Sequence, residues 1–448
     1  MMWASDHIPE EILIAYADDP DSHREIERHL ELCDECRRIA NTHHILGAGL
    51  RRAGTWRFER ELTTQRDQLE FRNLIDAQDA EDAEAEQILK PVLETPYSLA
   101  YAHITAKPRF RTAGVVRRLM AAALDQCHKD PKYALVLAAT AQLIVELLPK
   151  ERYSAEVLNN LKGNFWKDFA TVYRYLGQFE DAYKTLARAQ KAFEELSDEG
   201  MGLAAVKHGR ALILHLQQRN AEALPLARQA AQEYGQRKES LLYLEAQETI
   251  AIVSHELGDV ATAYSLYRNA YELADDLDQG TMKARCAKGL GLIARDRGDF
   301  GTASRHFLEA LQLYQALGKD AMVVRMRWSI ARLSLMAGNP RTAAARLLEI
   351  RSALAEKGMM SDAAEVDLDR AEAHLMLREY DVAYAICEGL PAVFIQANML
   401  TGALTAAAYL REAADLRRLT RSDVQLVRNY LTQLERRPDL EFVRPDSR

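Results

Sequence analysis

Cysteine is scarce, with five in 448 residues. Cys127, Cys286 and Cys387 are scattered through apolar helical patterns, so there is no disulfide framework and these three read as core thiols. Glycine (21) and proline (12) are sparse while Ala, Leu, Glu and Arg abound, a composition that favours helices. No lysine- or arginine-rich tail stands out and the formal net charge is −8, which argues against direct nucleic-acid binding. The most apolar run, ALVLAATAQLIVELL (134–148), contains Gln142 and Glu146. It falls short of the ~20 residues a spanning helix needs, so no membrane partner is expected. MMWASDHIPEE has no basic segment leading into an apolar one, which points to a soluble, cytoplasmic protein. There is no Ser–His–Asp arrangement, phosphate loop or H-E-x-x-H, and the carboxylates follow helix-surface spacing, so the chain reads as non-enzymatic.

What the chain does have is a period. Ala182, Ala223, Ala263, Ala303, Ala343 and Ala383 are separated by 41, 40, 40, 40 and 40 residues. Twelve residues before each lies a small residue: Ala170, Ala211, Ala251, Gly291, Ala331 and Ala371. Between them stands Gly177, Gly258, Gly298 or Gly338 in four copies, with Gln218 and Arg378 in the other two. Four residues after the leading alanine comes Leu186, Ala227, Tyr267, Phe307, Leu347 or Cys387. Small residues at two crossing points let paired helices approach, and the glycine ends the first helix in a left-handed cap. A single hairpin cannot bury its apolar stripe, whereas a stack can. An earlier hairpin is expected at 112–148 with Ala134 in the matching role, and a terminal pair at 401–417 and 421–436 with Ser422 as N-cap.

This pattern resembles the tetratricopeptide repeat, most closely at 164–197, 245–278 and 285–318. The resemblance implies an all-α chain: a right-handed α-solenoid of six to seven helical hairpins over 111–438, with capping helices at its C-terminal end. The period exceeds the family's usual 34 by six residues, which about three extra residues per helix would supply. DAQDAEDAEAE (76–86) holds six acids and no base, which suits a solvated helix or flexible connector within a charged linker at 51–110.

Residues 29–36 read HLELCDEC. A histidine at the end of one helix and two cysteines three apart on the turn into the next can converge on one zinc ion. A tetrahedral structural site needs a fourth ligand, from among His7, His23, His43 and His44. His23 lies on another face of its helix, and His43 and His44 point away along the next one. His7 opens the apolar-periodic HIPEEILIAYADD, which can fold back antiparallel, so the expected ligands are His7, His29, Cys33 and Cys36. Four protein ligands close the site, making the zinc structural. The 1–50 module is too short to fold on apolar burial alone, and metal binding supplies the missing free energy.

The stretch HIPEEILIAYADDPDSHREIERHLELCDECRR resembles the zinc-containing anti-sigma module of bacteria, matching it at His7, Leu13, Tyr16, Asp18, Asp19, His29, Leu30, Cys33 and Cys36. The resemblance covers about residues 7–45 and implies an extracytoplasmic-function sigma factor as partner. Residues 1–50 carry eleven acids against four bases, a surface that repels phosphate and suits a basic protein partner. The family's further helix would fall in 37–75, where Gly47, Gly49 and Gly54 interrupt it.

In repeat arrays of this kind the first helix of each hairpin lines the inner surface. Those positions include Lys167, Arg174, His208, His215, His255, Arg285, Lys288, Arg295, Arg325, Trp328 and Arg332. They form a basic face on an acidic chain, suited to an extended acidic segment with Trp328 as apolar anchor. Two readings of function follow. One is a transcription regulator whose zinc head binds a sigma factor while the array senses or recruits another protein. The other is an adaptor whose zinc module is only a docking tag.

Overall fold

A computed structural model of the chain describes Ile8, Ile26, His29, Leu30, Cys33, Cys36 and Arg37 near the N-terminus, then residues 65–94, 104, 107–127, 130–149, 151–196, 200–396, 399–436 and 440–445. From residue 65 on, the described elements of known bounds are 17 α-helices and one 3-10 turn at Pro108–Phe110, and among the described residues there is no strand. No described helix is long and apolar enough to cross a membrane. By contacts the chain divides into residues 1–77 and 78–448.

The second unit holds the array. Helix α1 (Gln65–Leu93) leads into it, and eight antiparallel pairs follow: α2 (Ala113–Gln126) with α3 (Pro131–Glu146), α4 (Ala155–Tyr175) with α5 (Phe179–Glu194), α6 (Gly200–Leu216) with α7 (Asn220–Gln236), and α8 (Ser240–Glu256) with α9 (Val260–Asp276). Next come α10 (Gly280–Asp296) with α11 (Phe300–Ala316), α12 (Asp320–Met336) with α13 (Pro340–Glu356), α14 (Met360–Met376) with α15 (Tyr380–Gln396), and α16 (Thr401–Asp415) with α17 (Arg421–Arg436). From α6 to α15 every helix has 17 residues. The forty-residue period is thus two equal half-steps. Both helices of each pair are lengthened, and the connection between pairs repeats the connection within them.

One turn serves both connections. After α8, the Gly258 amide donates to the His255 carbonyl at 3.0 Å and the Asp259 amide to the Ser254 carbonyl at 2.9 Å, with Gly258 at φ 84°. This is the Schellman arrangement, which satisfies carbonyls that the helix end would leave orphaned. Asp259 then caps α9 by accepting from the Thr262 amide at 3.1 Å. The turn after α11 has the same bonds, from Gly318 to Gln315 at 3.1 Å and Lys319 to Tyr314 at 2.9 Å. Gln218, Lys238, Asp278, Arg378 and Arg417 adopt the same positive φ without glycine's freedom.

The leading alanines are fully buried at Ala182, Ala223, Ala263, Ala303, Ala343 and Ala383, as are Leu347 and Cys387 four residues on. Gly291 shows what the small positions do: a Cβ there would sit 2.5 Å from the Phe307 ring, so only glycine admits that ring between α10 and α11. Cys127, Cys286 and Cys387 are buried core thiols, and burial pushes their pKa values up to about 11, 12 and 12 respectively.

Two expectations are corrected. The acidic stretch 76–86 lies on α1, and within the second unit part of it is bonded rather than merely solvated. Glu81 accepts from the Gly114 amide at 2.9 Å and the Tyr153 hydroxyl at 2.6 Å, and pairs with Arg117 at 3.2 Å and Arg152 at 2.9 Å. It and its neighbours satisfy the start of α2 completely. The Ala113 amide donates to Tyr153 at 3.0 Å, Gly114 to Glu81, and Val115 to the Thr112 hydroxyl at 3.3 Å. An anion at a helix N-terminus also meets the positive end of the helix dipole. The N-cap of α17 is Thr420, not Ser422. Asp423 accepts from the Thr420 amide at 2.8 Å while its own amide donates to the Thr420 hydroxyl at 3.3 Å, a reciprocal box that Ser422, one turn position inside, cannot form.

Candidate functional sites

In the N-terminal unit, ligand atoms of His29, Cys33 and Cys36 lie within 4.8 Å of one another. Local helical bonding brings them together. The Cys33 amide donates to the His29 carbonyl at 2.9 Å and the Arg37 amide to the Cys33 carbonyl at 3.0 Å, so His29 and Cys33 share a face one turn apart. Cys36, three residues on, is buried. The Ile8 amide donates to Cys36 Sγ at 3.3 Å, and a backbone N–H aimed at sulfur in this way stabilises a metal-bound thiolate. One imidazole and two thiols so placed could together hold a metal ion. His7 precedes Ile8 directly but lies outside the described residues, as do His23, His43 and His44.

The second site is a cavity of about 920 Å³ in the array. Lys167, Arg174, His208, Arg285, Lys288, Arg325, Trp328 and Arg332 all line it. They come from α4, α6, α10 and α12, each the first helix of its pair. Arg295 is not in the lining; its guanidinium holds Asp296 at 2.7 Å. His215 is bonded to Asn220 at 2.9 Å and His255 to Asp296 at 3.3 Å, both outside the lining. The lining adds Lys319, which belongs to the turn before α12 and so falls outside the first-helix positions. The recurrence of the same turn every half-step is the signal that could have found it. Seven cationic side chains stand against two carboxylates, Asp168 and Glu245.

Acids placed behind the lining orient several of these cations. Arg285 Nε donates to the buried Glu248 at 2.9 Å, and Arg325 Nε to Asp362 at 2.8 Å. The Trp328 indole N–H donates to Asp369 at 2.6 Å, and Arg332 stands 3.6 Å from the same carboxylate. Asp369 is also held by Arg428 of α17 at 2.9 Å. Lys167 pairs with its neighbour Asp168 at 3.0 Å, and the Arg174 guanidinium lies 4.7 Å from the Tyr175 ring centre. Burial and the positive charges of Arg174, Arg285 and Lys167 press the His208 pKa down to about 4, so its ring is neutral near pH 7. Its Nε2 lies 2.8 Å from Thr249 Oγ1, and that hydroxyl donates to the Glu245 carbonyl at 3.0 Å. The hydroxyl proton being committed, His208 carries its own proton on Nε2 and donates. Burial raises the Glu245 pKa, with the Arg285 charge opposing. The arrangement offers oriented guanidinium and ammonium donors around an indole, suited to gripping anionic groups on an extended ligand.

The tetratricopeptide repeat family model matches residues 242–316, the stretch covered by α8 to α11. Among solved structures, the chain is similar to a signal transduction ATPase with numerous domains, bearing a tetratricopeptide repeat sensor, from Pyrococcus horikoshii. Identity is 12%, 85% of this chain and 54% of that chain are covered, and the TM-score is 0.51. It is similar also to a Rap protein crystallised with Competence and Sporulation Factor, at 13% identity over 70% of this chain and 100% of that one, with TM-score 0.45. Aspartyl phosphate phosphatase F from Bacillus subtilis matches at 13% identity over 76% and 94%, with TM-score 0.43. No curated protein matches the chain. At such identities the likeness is one of fold: a helical-hairpin solenoid of tetratricopeptide-repeat type.

Proposed function

We propose that this chain is a non-enzymatic, protein-binding regulator. Its array holds an extended acidic segment of one partner in the α4–α12 cavity, while its zinc-stabilised head docks on another, an extracytoplasmic-function sigma factor. The observation that carries the first half is the cavity lining, where seven cations and Trp328 meet two carboxylates on a chain of net charge −8. Lining charge opposite to that of the whole molecule favours an anionic ligand and speeds its encounter. The second half is supported by the thiol–imidazole cluster of His29, Cys33 and Cys36 within the anti-sigma-like stretch, with His7 as fourth zinc ligand.

The array half is tested by capture of an immobilised polyglutamate peptide. Arg285 and Arg325 are poor targets because each neutralises a carboxylate behind it. The triple variant Lys167→Gln, Arg174→Gln, Arg332→Gln leaves every buried acid with a partner, since Asp369 keeps Arg428 and Trp328. With roughly 1 kcal/mol or more forgone at each removed cation, affinity falls by about 100-fold while thermal stability is kept. Undiminished capture would remove the reading. The head is tested by elemental analysis of the full chain and by transcription from a sigma-dependent promoter with and without it. One zinc per chain, lost in His7→Ala and Cys36→Ser, and repression lost with it, is the expected result. Full repression by metal-free variants would leave the zinc without a role in docking.

A further inference from the structure

Several neighbouring first helices of the array are stitched to one another by side chains. His208 of α6 bonds Thr249 of α8 at 2.8 Å. Glu248 of α8 accepts from Arg285 of α10 at 2.9 Å, and His255 of α8 lies 3.3 Å from Asp296 of α10. Arg325 of α12 donates to Asp362 of α14 at 2.8 Å. Between α6 and α14, one step breaks the series. Among the described residues, no side-chain hydrogen bond or ion pair joins α10 to α12.

Like charges face each other across that step. Arg285 and Lys288 project from α10, Arg325 and Arg332 from α12, and neither helix contributes a carboxylate to the cavity lining. The two acids that do line it belong to α4 and α8. Arg285 and Arg325 are each fixed on one side by an acid behind them, which leaves their remaining N–H groups for the cavity. Among the described residues, Lys288 has no carboxylate within ion-pair distance. Among these charges the Lys288 ammonium gains an ion-pair partner only when an anion enters. A carboxylate brings one negative charge, whereas a phosphoryl group brings nearly two and three acceptor oxygens, enough to engage all three donors.

We propose that the α10–α12 step is a phosphoryl-binding site, with Lys288 at its centre and Arg285 and Arg325 on either side, and that the acidic segment read by the array is recognised there through a phosphate. This rests on the reading of the cavity as an acidic-segment site. Binding closes the one unstitched step between α6 and α14, the anion taking the place that carboxylates hold at the α8–α10 and α12–α14 steps.

The test is isothermal titration of the full chain at constant ionic strength with three probes: an acidic nonapeptide bearing one phosphoserine, the same peptide unphosphorylated, and inorganic phosphate. The phosphopeptide is expected to bind at least tenfold more tightly than its parent. Lys288→Gln abolishes that difference, beyond the roughly fivefold loss that removal of any one lining cation costs the parent, and Lys288→Arg retains it. Competition by inorganic phosphate would show the oxyanion itself to be the ligand, and its failure to compete would assign the phosphate to a peptide segment; either outcome supports the site, provided Lys288→Gln removes it. Equal affinity for the two peptides would overturn the phosphoryl site and leave the acidic-segment reading standing. A preference that survives Lys288→Gln would overturn it as well, and binding of neither peptide would overturn both.

Discussion

Glu81→Ala removes the group on which the start of the array converges. Its carboxylate has only 11% side-chain exposure and accepts from the Gly114 amide and the Tyr153 hydroxyl, at 2.9 and 2.6 Å. Each hydrogen bond to a charged acceptor is worth ~1.5–3 kcal/mol. The Arg152 pair, at 2.9 Å but with the arginine 51% exposed, adds little. Arg117 is not orphaned, because Asp82 still holds it at 2.7 Å. The sum is a loss of about 4 kcal/mol, confined to α1, the start of α2 and the turn before α4 that carries Tyr153. In a stacked array that loss is local, so a single global midpoint would dilute it. Amide hydrogen exchange resolves it: protection at Ala113 and Gly114 drops by roughly a thousandfold, about 4 kcal/mol, while α8 to α11 are unchanged. Glu84→Ala, an exposed acid of the same run, serves as control and changes nothing. Protection in Glu81→Ala within a factor of about five of the parent, below ~1 kcal/mol, would refute the reasoning and return this stretch to the role of solvated connector.

Three further outcomes are expected. Gly291→Ala places a Cβ 2.5 Å from the Phe307 ring; the overpacking of ~1–3 kcal/mol outweighs the ~1 kcal/mol gained in helix propensity, and urea unfolding shows a net loss. His208 has its pKa depressed to about 4 from 6.5, so it is neutral in both states above pH 6.5 and its contribution is then fully present. As pH falls from 6.5 towards 4 the unfolded chain takes up a proton that the folded one refuses, and up to about 3 kcal/mol is lost; His208→Gln flattens unfolding free energy against pH in that window. With the three core thiols buried and their pKa values raised, a thiol reagent acting on the native protein reads only Cys33 and Cys36. A zinc chelator raises the rapid count from none to two, and a rapid count of two before chelation would argue against metal-bound thiolates.

Much of the array was legible because its constraints are local and repeated. A small residue where helices cross and a left-handed residue at each turn recur at fixed spacing, and the six turn positions read from sequence, Gly177 to Arg378, all adopt positive φ. The second set of turns was harder to see. Only Gly318 and Gly358 announce it, while Lys238 and Asp278 take the same conformation with no sequence cue. The cavity residues were legible wherever helix phase alone decided the matter, as at Arg285, Lys288 and Trp328. Phase failed at Arg295, where an adjacent carboxylate captures the guanidinium at 2.7 Å, and it could not show that Arg285 and Arg325 are tethered from behind. Those pairings join residues 37 apart, and the role of Glu81 joins residues 33 and 72 apart. Interactions of that reach leave no periodic trace in a single chain.

The uniform half-step also bears on how such a molecule can change over time. Because the boundary inside a pair and the boundary between pairs are the same three-residue joint, duplicating or deleting two consecutive helices, as at α8 and α9, returns the chain to its original phase. The inward-facing side chains of every later helix then keep their orientation. Ligand reach can be lengthened or shortened by unequal crossing-over in units of forty codons, without redesign of any interface.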